Sequence, residues 1–400
     1  MFKLRYSYGV TGLNPGFSNQ YESMSSDGTG AIRRGSLGNV NISPTFTKEE
    51  ELGLDVAYKS RISGTLTMVR NASRDVFVNI PAPAVTGYQT QVTNPAHIGG
   101  RILEATLQGA ILTNPKGLRW DVLFTADKAW LYTKRFGRTC FDDGLQYKCD
   151  TTPISEMWGN MIIENPSQLP AIHRNSLNQF AINDDGYVVP VGVGNTWRDG
   201  VARNLWGTTL NIDGVNYRWG HPIPRRTDDG VLWYGRIGDS NPGLRFGWQN
   251  NFRYRDFRLF IQTTGQFGGS VYANSNQTYY ASGDHPDVVQ AGKPDELKKP
   301  VSYYNAVSNN NNLYLKRFVE SGTHLTIAEF LFGYSLDSKK WRILERSGFS
   351  RMNIDLIGRN MRTFTGYTGL NVMAGSPTVR FDDATYPMTR TLTGVVTLTF

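Results

Sequence analysis

Residues 51–68 read ELGLDVAYKSRISGTLTM. Leu52, Leu54, Val56 and Tyr58 occupy every second position, with Gly53, Asp55, Ala57 and Lys59 between them. A tight turn at Ser60–Arg61 follows. Ile62, Gly64, Leu66 and Met68 then alternate with Ser63, Thr65 and Thr67. A period of two sends successive side chains to opposite faces of an extended chain. The stretch therefore predicts an antiparallel hairpin with one greasy and one polar face. Whether the greasy face meets a dry core or lipid decides the fold.

The pattern recurs. Leu103, Ala105, Leu107, Gly109 and Ile111 alternate with Glu104, Thr106 and Gln108. Asn114-Pro115-Lys116-Gly117 supplies a turn, and Trp120, Val122, Phe124 and Ala126 return. Leu244, Phe246, Trp248, Phe252 and Tyr254 lead through Arg255–Asp256 to Phe257, Leu259 and Ile261. Phe330, Phe332 and Tyr334 form a further set, as do Met352, Ile354 and Leu356. In the closing TLTGVVTLTF, Leu392, Gly394, Val396, Leu398 and Phe400 share one face. Strands are predicted over 2–9, 52–60, 62–73, 101–113, 117–129, 243–254, 256–269, 323–336, 350–362 and 389–400. Their connections alternate between a few residues and tens to over a hundred. Residues 337–349 stand where a short turn is expected and read as a spacer, with a one- or two-turn helix as the alternative. A soluble sandwich has no reason to gather its long loops at one end, whereas an outer-membrane barrel has short periplasmic turns and long extracellular loops. The polar faces carry charge in mid-strand at Asp55, Glu104, Asp121 and Asp355, as the wall of a wet lumen can.

Composition agrees with that reading. The 400 residues include 42 Gly, 20 Tyr, 20 Phe and 9 Trp. Mean hydropathy is −0.39, and no run approaches the roughly 18–20 apolar residues of a membrane helix. A barrel needs no such run, because only alternate residues face lipid. The net charge of +8 comes from basic residues scattered through turns, with pairs at 33–34, 225–226, 298–299 and 339–340. This is unlike the single basic stripe of a nucleic-acid binder, so no nucleic-acid partner is expected. The opening MFKLRYSYG lacks the apolar core and cleavage site of a signal peptide.

Other residues carry weaker signals. Cys140 and Cys149 lie in a polar stretch, where they could close a small disulfide in an oxidising compartment or remain thiols; they give no zinc signature. Residues 130–242 form the longest loop region, with a hairpin expected around Asn183-Asp184-Asp185-Gly186. Trp158, Trp197, Trp206 and Trp219 in that loop are candidate ligand contacts, weighed against roles as interface anchors or loop core. Loop 270–322 is polar and is expected either to stay mobile or to fold over a mouth. His97, His173, His221, His285 and His324 show no metal or zincin spacing, and no G-x-S-x-G occurs. The acidic pairs at 142–143, 184–185 and 382–383 offer oxygen ligands without EF-hand spacing. Arg351 and Arg359 are candidate anion contacts on a lumenal face. No catalytic residue, metal site or cofactor is assigned.

Several blocks, in order, resemble one family. FKLRYSYGVTGLNP (2–15) is similar to a K-L-R-x-S-Y-G-x-T-G-N-x-P block, and residues 51–83 to an E-x-G-L-D hairpin with a following aliphatic and proline segment. RFVESGTHLTIAEFLFGYSL (317–336), MNIDLIGRNMRTFTGYTGL (352–370) and YPMTRTLTGVVTLTF (386–400) resemble the later strands and the closing strand. The family is that of the SusC/RagA-type TonB-dependent outer-membrane transporters. Departures fall at Met361-Arg362, where Leu-Phe is usual, and at Asn371-Val372-Met373, where Asp-Pro-Glu is frequent.

The resemblance implies an all-β fold, an antiparallel transmembrane β-barrel segment of about 10 strands from a 22-stranded barrel. Residues 1–400 are expected to be the C-terminal part of such a barrel, without its plug and first strands, as a split-gene or incomplete product. Residues 130–242 would be an extracellular loop region. The implied function is outer-membrane uptake of an oligosaccharide or peptide, without enzymatic chemistry. The alternative is a self-contained small barrel acting as pore or adhesin. Implied partners are outer-membrane lipid, the remaining barrel and plug, the TonB complex, a SusD-like surface lipoprotein and the barrel-assembly machinery. Phe400 would be the assembly signal.

Overall fold

The computed structural model describes residues 1–26, 28–59, 61–114, 117–308, 313–376 and 378–400. Ten long strands run through them: β1 (Phe2–Leu13), β2 (Thr45–Tyr58), β3 (Ile62–Pro81), β4 (Thr90–Thr113), β5 (Leu118–Arg135), β6 (Leu244–Tyr254), β7 (Phe257–Phe267), β8 (His324–Asp337), β9 (Arg351–Thr365) and β10 (Thr391–Thr399). Each pairs antiparallel with its neighbour in chain order, giving one continuous meander. Ser36–Leu37 adds a short parallel pairing at the start of β4.

Consecutive antiparallel pairing puts the β2–β3, β4–β5, β6–β7 and β8–β9 connections at one end. The expected turns at Ser60–Arg61 and Asn114–Gly117 include Ser60, Pro115 and Lys116, which lie outside the described residues; the flanking strands end at Tyr58 and Thr113 and resume at Ile62 and Leu118. Arg255–Asp256 joins β6 to β7, with Arg255 in the left-handed region at φ 53°. The expected spacer between β8 and β9 is instead a helical turn, Arg342–Arg346, which buries Leu344 and leaves Ile343 outside. At the opposite end, β3 and β4 run well past their expected limits. The segment read as a long loop between them is a projecting ribbon closed by residues 82–89.

The register explains the two-faced pattern. Leu4, Leu54, Leu66, Ala105, Ala126 and Phe246 form one row across six strands. Trp120, Phe252, Leu259, Phe332, Leu356 and Gly394 form another across the later strands. This face has nothing packed on it: Leu4 is 66% exposed, Leu107 50% and Leu392 65%. Each such side chain facing water forfeits about 1.5–3 kcal/mol that an apolar medium supplies. Near the tight-turn end, Tyr254, Phe257 and Tyr334 pair in register, with Phe257 and Tyr334 rings 4.7 Å apart. That is the place of an interfacial aromatic girdle.

The opposite face is mainly polar, interrupted by Phe260, Leu331 and Ile357 in one row. Lys3, Asp55, Thr65, Thr106, Thr125, Gly247, Thr264, Thr326 and Thr363 make one row. Several of its charges are paired in the sheet: Arg5 with Asp55 at 2.9 Å, Arg245 with Asp127 at 2.5 Å and Arg258 with Asp355 at 2.6 Å. The last pair spans three strands, because Gly333 stands between its partners and leaves the space they cross.

The dry core lies elsewhere. Tyr272, Tyr303, Met157, Ile163, Val188 and Val271 are almost wholly buried, and all belong to the connections. The β5–β6, β7–β8 and β9–β10 connections, with helices α1 (Asn274–Ser282) and α2 (Val301–Ser308), thus pack into one loop body. Loop 270–322 is built into this body; its tract at 309–312 lies outside the described residues.

Candidate binding clefts of the loop body

The expected hairpin around Asn183 forms, with Phe180–Ile182 paired to Val188–Pro190. Asn183 shapes its turn: its Oδ1 accepts from the amides of Asp185 at 3.1 Å and Tyr187 at 2.9 Å. Its Nδ2 donates to the Tyr303 hydroxyl at 2.7 Å, joining the hairpin to α2. The Tyr303 hydroxyl donates to Asp185 at 2.5 Å. The buried Lys299 ammonium reaches Asp184 at 2.5 Å and Asp185 at 3.1 Å. Burial by itself would raise the Asp185 pKa, but Tyr303 and Lys299 outweigh it and hold it below the usual range. Burial pushes the Tyr303 hydroxyl far upward.

These contacts remove the oxygen-ligand reading of the acidic pairs. Asp184 and Asp185 neutralise Lys299, and Asp143 faces Lys148 at 3.7 Å. Asp382 accepts from the amides of Leu370 and Asn371 and from the Tyr367 hydroxyl. Among the described residues no cluster of His, Cys, Asp or Glu could hold a metal. Arg351 and Arg359 are likewise spoken for, by Asp337 at 3.7 Å and Glu329 at 3.0 Å, which corrects their reading as free anion contacts.

The tryptophans divide. Trp219 is 2% exposed and donates to the Val191 carbonyl at 2.8 Å. Trp197 is also buried, in the same cluster. Neither ring has a face free for a solute, so both are corrected to loop core. Trp206 is half-buried, edge-on to Trp219 at 5.3 Å and to Tyr303 at 5.8 Å. Trp158 is half-buried and stacked on Tyr147 at 4.7 Å. Cys140 and Cys149 are joined, with Cα atoms 4.6 Å apart. Phe400 is 88% exposed, its ring 4.9 Å from Phe349.

Two of the histidines sit beside clefts. His173 is fully buried and bridges Asp213 at 3.0 Å and the Tyr217 hydroxyl at 2.8 Å. Hydrogen bonds from His173 and Ser176 hold Asp213 low. His221 donates from Nδ1 to the Trp219 carbonyl at 3.0 Å, and its Nε2 meets Ser302 Oγ at 3.0 Å. Burial lowers its pKa, so the ring is neutral near pH 7. One cleft of about 510 Å³ opens between Pro170, Tyr217, Arg218, His221, Arg226 and Ser302. A second of about 520 Å³ is lined by Gln168, His173, Arg174, Arg225, Arg226 and Asp228. The clefts adjoin, sharing Pro170 and Arg226. Arg174 and Arg218 carried no sequence signal: Arg174 follows a helical turn and Arg218 ends the short strand Val215–Arg218, and they become neighbours only through the loop fold.

With sheet and loop body in place, known structures can be compared. A RagAB peptide importer in a closed-closed state matches all of this chain at TM-score 0.70 and 15% identity, over 41% of that chain. The same importer in an open-open state matches at TM-score 0.65 and 14% identity, over 40% of its length. The chain has the fold of a SusC/RagA-type TonB-dependent transporter barrel. Two receptors from Formosa agariphila are similar in sequence at 22% identity: TonB-dependent receptor P39 over 94% of this chain and TonB-dependent receptor P3 over 98%, each over 38% of its own length. The chain thus spans about two-fifths of the curated relatives it matches. No family model matches it. In this transporter fold the unpartnered apolar rows have a natural medium, lipid, and the ion-paired face lines the lumen.

Proposed function

We propose that the chain supplies barrel wall and external loops of an outer-membrane TonB-dependent uptake transporter, carrying an oligosaccharide or a peptide. One observation carries this reading: large apolar side chains lie bare along the strands while each buried hydrophobic cluster among the described residues lies in the connections. Water would favour the reverse arrangement, and lipid favours this one. On this reading the long connections, including 130–242, face outward and the tight turns face the periplasm. The remaining barrel and plug, a TonB complex and a SusD-like lipoprotein are the partners. The barrel-assembly machinery is a further partner. The work is binding and passage, with no bond chemistry; the transporter and receptor names of the similar proteins support this.

The test is fractionation of cells expressing the chain, followed by energy-dependent uptake of labelled oligosaccharides and peptides. Recovery in the outer membrane, with uptake lost on deletion and restored by complementation, is expected. Recovery as a soluble periplasmic or cytoplasmic protein would refute the proposal.

A further inference from the structure

Five arginines of the sheet are ion-paired, whereas, among the described residues, the arginines around the loop clefts are not. Arg5, Arg245, Arg258, Arg351 and Arg359 on the strands each face a carboxylate. Arg174, Arg218, Arg225 and Arg226 gather around the two adjoining clefts, and none of them is ion-paired among the described residues. Arg225 stacks on Trp233 at 4.8 Å and points one nitrogen at Met161 Sδ at 3.4 Å. Arg226 donates to the Gly230 carbonyl at 2.7 Å. These contacts orient the guanidinium groups without neutralising them. Two carboxylates lie close by: Asp228, on the second cleft, accepts from the Ala171 amide at 2.9 Å, and Asp213 accepts from Ser176 at 2.8 Å and faces His173; the four guanidinium groups outnumber them.

Four like charges converging on concave walls repel one another and raise a positive potential, which the geometry of a cleft focuses. Guanidinium forks match carboxylates in a bidentate way. Pro170, Pro222 and Ile223 give the first cleft an apolar floor, and Ser302 and the neutral His221 add hydrogen-bonding groups. A cation would be repelled here, and a neutral ligand would leave the guanidinium groups unused. Arg226 borders both clefts, so a ligand with repeating anionic units could engage both at once.

We infer that the adjoining clefts are a binding site for an acidic oligomer bearing carboxylates, gripped by Arg174, Arg218, Arg225 and Arg226. The inference rests on the uptake reading and narrows its substrate class. Sugar and peptide share this chemistry, so the test carries a probe for each. Titration calorimetry of the full chain in detergent would use tetragalacturonate, tetraglutamate and neutral maltotetraose. At least one acidic probe is expected to bind, more weakly as salt rises, and the tighter of the two names the source. Arg226→Gln should weaken it about tenfold. R174Q/R218Q should weaken it further; both side chains are exposed, so the melting temperature should hold. Arg236→Gln, on an arginine paired with Glu156 and Asp239 away from the clefts, should change nothing. Equal binding of maltotetraose, no binding of either acid, or unchanged affinity in R174Q/R218Q would overturn the inference. Outer-membrane fractionation, read separately, shows whether the uptake proposal itself stands.

Discussion

Gly333→Ala is expected to destabilise the sheet, against the usual preference for alanine over glycine inside regular structure. In register, Gly333 stands between Arg258 on β7 and Asp355 on β9. A Cβ there would lie 2.3 Å from Asp355 Oδ1 and 2.4 Å from Arg258 Nε. The pair makes three contacts across that gap, at 3.0, 2.7 and 2.6 Å, and Asp355 is only 8% exposed. Hydrogen bonds between charged groups contribute about 1.5–3 kcal/mol. Stranding one partner of a buried pair costs about 3–5 kcal/mol. Arg258 is a third exposed, so solvent screens part of the loss. Together these give about 2–3 kcal/mol for Gly333→Ala. Urea unfolding in detergent, followed by tryptophan fluorescence, would measure it as a double-mutant cycle. In an R258L/D355L background the same alanine should cost under about 0.5 kcal/mol, since no pair remains to be parted. Equal losses in both backgrounds, or a G333A sheet as stable as the parent, would refute the reasoning.

Other expectations follow from the two faces and the loop body. Leu107→Arg, on the bare face of β4, should cost about 2–4 kcal/mol if it lies near the bilayer midplane, while Thr106→Arg on the polar face should be tolerated; outer-membrane yield and urea midpoints compare them. Lys299→Met should cost the loop body about 3–5 kcal/mol by leaving Asp184 and Asp185 without their cation, read as a lowered melting temperature. Because Asp185 titrates below its unfolded value of about 3.9, its contribution is full above that value and is lost as pH falls through the folded one. Stability of the parent should therefore drop in acid below about pH 4, and this drop should shrink in Asp185→Asn. Maleimide should label Cys140 and Cys149 only after reduction, and opening the small loop should cost about 2–3 kcal/mol by chain entropy.

The strands were legible wherever one face meets a different medium from the other. Leu52 to Tyr58 and Ile62 to Met68 alternate for that reason, and β2 and β3 pair there with their apolar sets on one face. The outer parts of β3 and β4 were not legible. Beyond Ser73 the pairing carries register shifts, and the ribbon no longer separates an apolar face from a polar one. Alternation fades where both faces share one environment. Within the loop body, Asn183 and Tyr303 meet across 120 positions, and no local period reports such a contact. Residue type also misled. Trp197 and Trp219 suit ligand stacking as well as burial, and only packing separates the two roles. The arginine pair at 225–226 was visible as charge, but its convergence with Arg174 and Arg218 depends on the helical turn and the short strand that carry them.

In the proposed barrel one face of the sheet meets lipid and the other meets water. Nitroxide labels placed singly at Leu103, Glu104, Ala105, Thr106 and Leu107 of β4, in the chain reconstituted into bilayers, test it most directly. Collision rates with oxygen and with a water-soluble nickel chelate would be read at each site. Oxygen should dominate at 103, 105 and 107 and the chelate at 104 and 106, alternating residue by residue. Shielding from both reagents at 103, 105 and 107 would mean that a second protein layer covers the apolar face, and the barrel account would be wrong.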